Sequence, residues 1–172
     1  MNIADLGMTA ELDTWCREHV PEEFTVGRVT QEHRERYVVS DGANEYDAEI
    51  TGNMRFSAAS RSDFPAVGDW VSMTCYDSGQ ALIHGILPRK SILSRQAIGK
   101  PGEIQIIATN IDVAFIVQAI NNNFSVNRLE RYLAICLAAA IEPVLVLSKT
   151  DLVTEGEIRA ALHELESRGR HV

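Results

Sequence analysis

Three polar side chains, Ser148, Lys149 and Asp151, follow directly after the apolar segment PVLVL. An aspartate at the end of a buried strand can accept two parallel hydrogen bonds, and a guanine base offers two matching donors in its N1–H and N2 amino groups. Adenine has no such pair of donors, so a carboxylate in this place would select guanine. Lys149 can lay its aliphatic stem along the plane of the base. The three residues are therefore candidates for recognising guanine.

The order Ser-Lys-Thr-Asp corresponds to the guanine-specificity signature [NT]-K-x-D with one departure. Ser148 stands where Asn or Thr is usual, and although it carries a hydroxyl like threonine, it is shorter than asparagine and would contact the base less well. A buried strand that leaves the core through an ordinary polar turn would have a similar sequence. Both interpretations stay open on this motif alone.

The segments around this polar turn have the patterns of alternating strands and helices. Residues 111–117, IDVAFIV, form a continuous apolar run, as expected for a strand covered on both faces. A helix with Ser125 as its N-cap follows, and PVLVLS is a second buried strand. The next helix begins with the capping-box pair Thr154 and Glu157, and Gly169 is its expected stop.

This strand-helix-strand-helix order predicts parallel strands joined by right-handed crossovers. We therefore expect residues 111–172 to be the first part of a three-layer α/β domain, with Ser148–Asp151 at the carboxyl end of a strand, where ligands of such sheets bind. Two strands and two helices are too few for a complete sheet of this class. The chain is therefore expected to be a fragment of a longer protein.

A phosphate-binding loop with the pattern G-x-x-x-x-G-K-[ST] does not occur in the 172 residues. The Gly-Lys pair in AIGKPGE, Ala97–Glu103, has no Ser or Thr after the lysine, and we interpret this segment as a linker. Without a cradle for phosphates there is no Mg²⁺ site and no hydrolysis, so we expect the chain alone to be inactive as an enzyme.

Residues 24–87 have the sequence pattern of short strands separated by turns. Five β-branched or aromatic segments between residues 24 and 87, with Asp-Gly and Asp-Ser-Gly turns between them, predict a small barrel over residues 24–95. An OB-fold and an SH3-like barrel would share this pattern. Residues 1–23 are expected to form a helical extension and residues 96–110 a linker.

Composition narrows the class of protein. The net charge is −8, but six acids and one base lie in residues 1–23, whereas the barrel segment carries eight bases and nine acids. The barrel can therefore still present a basic face to nucleic acid. The three cysteines are widely spaced and form no C-x-x-C pair, so we expect buried thiols in a reducing cytosol rather than zinc ligands or disulfides. No apolar run is long enough to span a bilayer.

Five segments taken together resemble one known family. FPAVGDWV, ILPRKSILSR, IIATNIDVAFIVQAI, NRLERYLAI and EPVLVLSKTDL are similar, in order and spacing, to the RsgA family (also called YjeQ or EngC) of circularly permuted ribosome-assembly GTPases. The similarity covers nearly the whole chain from about Phe24 onward. The sequence is therefore identified as similar to the N-terminal part of a member of this family.

This resemblance implies an OB-fold, then a GTPase domain whose guanine motif precedes its phosphate loop, then a zinc domain outside this chain. It implies that Ser148, Lys149 and Asp151 recognise the base of GTP or GDP, which the intact protein binds with Mg²⁺. Members bind rRNA near the decoding region of the small ribosomal subunit, help release assembly factors, and hydrolyse GTP faster on the subunit. We expect a cytoplasmic monomer with no membrane partner.

Basic side chains near the predicted barrel loops are the candidates for rRNA contact, because the planar guanidinium group can donate two hydrogen bonds to one phosphate. They are Arg28, Arg34, Arg36, Arg55, Arg61, Arg89, Lys90 and Arg95. For any single one, a solvated surface charge is the simpler interpretation. We expect Trp70 to be a core residue and His84 to be structural rather than catalytic.

Two other functions stay open. A non-enzymatic RNA-binding module, in which the α/β part is only a scaffold, would bind rRNA without response to nucleotide. A small α/β protein with a protein-binding barrel would neither bind rRNA nor respond to nucleotide.

Overall fold

The computed structural model describes residues 2–34, 36–96, 104–121 and 124–167. They form two compact units, Met1–Asn110 and Ile111–Val172. No helix among the described residues combines the length and apolar character needed to cross a bilayer.

The first unit contains a closed five-stranded barrel of the predicted OB type. Its strands are β1 (Thr25–His33), β2 (Arg36–Ser40), β3 (Glu45–Ile50), β4 (Trp70–Tyr76) and β5 (Gln80–Ile86). The spatial order is β1-β2-β3-β5-β4, in which β3 and β5 are parallel and the other neighbours are antiparallel. Alternating residues point inward, and the barrel core consists of Val29, Tyr37, Val39, Ala48, Ile50, Val71, Met73, Ala81 and Ile83.

The N-terminal segment packs on the barrel and is not a loose appendage. Helix α1 (Ala10–His19) begins at Thr9, whose hydroxyl accepts a hydrogen bond from the Leu12 amide. Apolar residues of this segment pack with Trp70 and Leu87 in a second cluster. Trp70 is therefore a core residue, as predicted, and it is 2% exposed.

The connection from β3 to β4 contains the short helix α2 (Gly52–Ser57) and a 3₁₀ turn, Arg61–Asp63. The Thr51 hydroxyl caps α2 by accepting a hydrogen bond from the Met54 amide. The Asp63 carboxylate accepts hydrogen bonds from the amides of Ala59 and Ser60. The connection thus contains two short helical segments, each with a capped start.

Two further strands of the first unit are β6 (Ile92–Gln96) and β7 (Ile104–Thr109), which pair antiparallel. Strand β7 lies within the segment 96–110 that we predicted as a linker, and this expectation is wrong for its described part. The reason is that the backbone groups of IQIIAT find hydrogen-bond partners on β6. The Gly-Lys segment, residues 97–103, lies outside the described residues.

The second unit begins a parallel α/β layer structure. Strand β8 (Val113–Ala119) pairs in parallel with β9 (Glu142–Ser148), and α3 (Val126–Ala138) connects them. The helix α4 (Glu155–Ser167) follows β9. The predicted N-cap is confirmed, because the Ser125 hydroxyl accepts a hydrogen bond from the Arg128 amide. The expected stop at Gly169 lies outside the described residues.

One face of the β8–β9 sheet is packed and the other is largely open. Ile116 on β8 and Leu145 on β9 are buried, and α3 packs on both strands. On the opposite face of β8, Phe115 is 69% exposed and Val117 is 62% exposed. The apolar run forms a strand, as predicted, but among the described residues only one of its faces is covered.

Candidate functional site

The Ser-Lys-Thr-Asp turn lies at the carboxyl end of β9, as predicted from the sequence. Ser148 is the last strand residue, opposite Ala119, and its carbonyl accepts a hydrogen bond from the Ile120 amide at 3.1 Å. Lys149 then adopts a left-handed backbone conformation with φ of 57°. This conformation is uncommon for a residue with a Cβ and turns the chain sharply out of the strand. A 3₁₀ turn, Thr150–Leu152, leads toward α4.

The side chains of Lys149 and Asp151 are exposed and available to a ligand. Within the described ranges, no residue forms a hydrogen bond or ion pair with either charged group. A carboxylate without a partner inside the protein can offer both oxygens to the paired donors of a guanine base. Lys149 and Asp151 therefore stay predicted contacts of a guanine base.

An open cleft of about 750 Å³ lies beside this turn, within the second unit. Lys149 and Leu152 line it from the turn, whereas Asn121 and Phe124 line it from the segment after β8. Ser148 and Asp151 are not among its lining residues. Sequence reasoning missed Asn121 and Phe124, although parallel strands that end at the same edge place the residues after β8 beside those after β9.

A reciprocal capping box holds the start of α4 close to the turn. The Glu157 carboxylate accepts hydrogen bonds from the Thr154 amide and hydroxyl, both at 2.8 Å, and the Thr154 hydroxyl accepts from the Glu157 amide at 3.3 Å. The predicted pair is confirmed. These hydrogen bonds lower the pKa of Glu157 below its ordinary range, because they favour the charged carboxylate.

Thr154→Ala is expected to destabilise the first turn of α4 by about 1 kcal/mol, the usual cost of losing a hydroxyl N-cap. Because the Glu157 pKa is lowered in the folded state, its contribution is present above the ordinary glutamate range and is lost as the pH falls through the lowered value. Amide hydrogen exchange of the α4 first turn, compared at neutral and acidic pH, measures both effects. Glu166→Gln, at an exposed position near the other end of α4, is the control. An acid sensitivity equal in the wild type and Thr154→Ala would contradict this role of the capping box.

Two of the arginines proposed for RNA contact are used inside the first unit instead. Arg28 donates hydrogen bonds to the carbonyls of Leu6, Gly68 and Asn110, and its guanidinium lies 5.6 Å from the Trp70 ring centroid. Its donors are thereby directed to the protein's own acceptors, and we no longer propose that Arg28 contacts RNA.

Arg89 forms a bidentate ion pair with the buried carboxylate of Asp69, at 2.8 and 2.6 Å. It also donates to the carbonyls of Ser62 and Phe64. Asp69 is fully buried and accepts a further hydrogen bond from the Thr109 hydroxyl at 2.6 Å. Arg89 therefore joins the β3–β4 connection to the rest of the unit, and it too is withdrawn as an RNA contact.

The other basic candidates are exposed, and four of them share one end of the barrel. Arg34 follows β1, Arg36 begins β2, and Arg55 lies on α2. Arg61 lies 3.8 Å from Glu32 near the end of β1. Lys90 precedes β6 and Arg95 lies on it, where the Arg95 guanidinium donates to the Gln105 side chain at 3.3 Å. These six stay as predicted RNA contacts.

His84 has a local structural role, as expected. Its ring stacks on Phe24 with centroids 4.4 Å apart, and its Nε2 lies 2.9 Å from the Thr74 hydroxyl. No group of three or more His, Cys, Asp or Glu side chains suited to holding a metal ion occurs within the described ranges.

Comparison with known proteins agrees with this geometry. The sequence matches the RsgA GTPase family over residues 86–172. It is 45% identical over 130 residues to the small ribosomal subunit biogenesis GTPase RsgA 2 of Lactiplantibacillus plantarum, covering 76% of this chain and 37% of that protein. It is 38% identical over 161 residues to the small ribosomal subunit biogenesis GTPase RsgA of Opitutus terrae, covering 88% of this chain and 44% of that protein.

The fold is similar to that of YloQ, a circularly permuted GTPase, with a TM-score of 0.58 and 22% identity over 90% of this chain and 52% of YloQ. The chain spans less than half the length of the two curated relatives. Because the family match covers half of the chain, and the relatives match most of it at 38% identity or more, this chain belongs to the RsgA GTPase family.

Proposed function

We propose that this chain supplies the guanine-recognising part of a GTPase and an RNA-binding barrel that docks on the small ribosomal subunit. The observation that carries the first half is the exposed Lys149 and Asp151 in a turn at the carboxyl end of β9, in a chain of a GTPase family. The names of the curated relatives support a role in small-subunit biogenesis. Such a factor would work as a monomer in the cytoplasm, where subunits are assembled.

In this proposal Asp151 accepts hydrogen bonds from N1–H and the N2 amine of guanine, and Lys149 lies along the base. Ser148 steadies the turn from the end of β9. GTP or GDP with Mg²⁺ would supply the phosphate chemistry, and the residues that hold the phosphates and the metal are expected in a part of the longer protein that follows this chain. A zinc domain is expected there as well.

The isolated chain is expected not to hydrolyse GTP, because its sequence holds no phosphate loop. It should also bind guanine nucleotide poorly, since phosphates supply most of the affinity of such sites. Phosphate release measured on a preparation free of contaminating GTPases tests this expectation. Hydrolysis well above the buffer background would contradict it.

The proposed function as a whole is tested with a longer protein that contains this chain and a phosphate loop. We expect it to hydrolyse GTP and to do so faster with purified small ribosomal subunits than without them. The competing RNA-binding module would bind subunits equally well with GTP, with GDP and with no nucleotide. Nucleotide-independent binding together with no hydrolysis would favour that second function.

The barrel is proposed to contact rRNA through its exposed basic side chains. They are Arg34, Arg36, Arg55, Arg61, Lys90 and Arg95. Binding through phosphates must weaken as salt concentration rises, because each contact releases a condensed counterion. Affinity for rRNA that does not change with salt would argue against this part of the proposal and would favour a protein-binding barrel.

A further inference from the structure

Arginines gather at one end of the barrel, whereas the opposite end is acidic. The β1–β2 turn, the start of β2 and the β3–β4 connection share one end, because β1 and β3 run toward it and β2 runs away from it. The described basic residues at this end are Arg34, Arg36, Arg55 and Arg61. Three acids share this end: Glu49 lies 3.6 Å from Arg36, Glu32 lies 3.8 Å from Arg61, and Asp63 is held by backbone amides of the connection. The β2–β3 and β4–β5 turns and the strand residues beside them form the opposite end, where the charged residues are Asp41, Glu45, Asp47 and Asp77.

Phe56 projects from the arginine-bearing end and is 92% exposed, the most exposed large apolar side chain among the described residues. It lies on α2, where successive residues are about 100° apart around the helix axis. Met54 on the same helix packs against the barrel core, so Phe56, two residues later, points away from it. The helix therefore holds the ring outward.

The β3–β4 connection is ordered on both sides of this ring. Thr51 caps the start of α2, and beyond the helix the Asp63 carboxylate and the packed ring of Phe64 fix the chain. Hydrogen bonds from backbone amides lower the pKa of Asp63, so this carboxylate stays charged and directed into the loop. Phe56 is thus presented on a structured element with little left to order on binding.

The surroundings of Phe56 favour a flat, negatively charged partner over an apolar pocket. Its sequence neighbours Asn53, Arg55 and Ser57 are polar and exposed, so the ring is not part of an apolar patch. Protein interfaces rest on buried anchors within a contiguous contact area. A single aromatic ring beside arginines is instead the combination that binds single-stranded RNA, by stacking on a base and pairing with its phosphates.

We propose that Phe56 is a stacking platform for an unpaired RNA base, with Arg55 and Arg61 binding the phosphates on its two sides. This inference rests on the proposed RNA-binding function of the barrel and names the kind of RNA that it takes. The ligand is a single strand or a splayed-out base of a loop, since a base inside a duplex has no free face to offer.

The test uses the 172-residue chain and two probes: a short oligouridine that carries one 2-aminopurine, and an RNA duplex of matched length. Phe56→Ala is expected to lower affinity for the single strand about tenfold and to remove the 2-aminopurine fluorescence change, whereas duplex affinity falls much less. Phe56→Trp should retain both signals. Arg55→Gln should weaken both probes and reduce the salt slope by about one. Tyr76→Ala removes a half-exposed aromatic at the acidic end and is the matched control, expected to bind both probes like the wild type.

The outcomes separate this inference from the function on which it rests. If the wild type binds RNA and Phe56→Ala binds the single strand equally well, the stacking role is wrong and the RNA-binding barrel stands. If the wild type binds neither probe, the stacking role and the RNA-binding function of the barrel are both wrong. If Phe56→Ala loses binding to small ribosomal subunits but keeps its affinity for the oligonucleotide, Phe56 contacts a protein and the inference is overturned. Unchanged tryptophan fluorescence shows that Phe56→Ala, Arg55→Gln and Tyr76→Ala are folded, and an unchanged far-UV circular dichroism spectrum shows it for Phe56→Trp.

Discussion

Asp151→Asn, made in a longer GTP-hydrolysing protein that contains this chain, is expected to exchange guanine preference for xanthine preference. Asparagine can still accept from N1–H, but its amide would face the N2 amine of guanine donor to donor. Xanthine carries a carbonyl in that place and accepts from the amide. A bidentate contact discriminates between bases by about 1–3 kcal/mol, so we expect GTP affinity to fall about 10- to 100-fold and xanthosine triphosphate affinity to rise.

Competition binding with the two triphosphates measures this exchange directly. Glu155→Gln is the matched control, because it removes one carboxylate on the solvent side of α4 that faces Arg159 and not the turn. It should leave base preference unchanged. An equal loss of affinity for both triphosphates in Asp151→Asn would mean that Asp151 supports the turn without reading the base.

Asp69→Ala is expected to destabilise the barrel by about 3–5 kcal/mol, the cost of leaving one member of a buried ion pair without its partner. Arg89 is 13% exposed and would keep its charge with no carboxylate beside it, and the Thr109 hydroxyl would lose its acceptor. Small domains are stable by only about 5–15 kcal/mol, so a large share of the total would be lost. Urea unfolding followed by tryptophan fluorescence reports on this unit alone, since Trp15 and Trp70 both belong to it.

Two comparisons make this prediction specific. Arg61→Ala breaks an ion pair whose arginine is 67% exposed, and it should cost about 0–1 kcal/mol. The double variant Asp69→Leu with Arg89→Met removes both charges and should be more stable than Asp69→Ala alone. If Asp69→Ala lowers the free energy of unfolding by less than about 1 kcal/mol, water or another acceptor replaces the lost carboxylate.

Position 68, in the loop before Asp69, requires glycine. Its φ is 94°, and an added Cβ would collide with the Thr109 carbonyl. Its carbonyl also accepts hydrogen bonds from Arg28 and from the Asn110 side chain. Three segments that carry the family resemblance, FPAVGDWV, ILPRKSILSR and IIATNIDVAFIVQAI, therefore meet around Gly68 and Asp69.

The second unit was predictable from the sequence because its signals are local. An apolar run, a serine before the helical pattern and a Thr-Glu pair three residues apart each determine structure within a few residues of themselves. The position of Ser148–Asp151 follows from that order. The left-handed conformation of Lys149 does not, since nothing in the residue type requires it.

The first unit was predictable in its strands but not in its arginines. Short β-branched segments indicate strands, whereas the partner of a charged side chain depends on which distant segments the barrel brings together. Arg89 meets a carboxylate 20 residues away, and Arg28 meets a carbonyl 82 residues away. Arg61, by contrast, is exposed and lies beside Glu32. Only the closed fold separates these cases.

The uncovered face of β8 affects how the chain unfolds. A parallel sheet normally gains its stability from layers on both sides, and here Phe115 and Val117 contribute little burial. The hydrogen bonds of β8 and β9 are therefore less shielded than those of the closed barrel. For the 172-residue chain by itself we therefore expect two unfolding events rather than one, with the second unit losing its structure while the barrel is still intact.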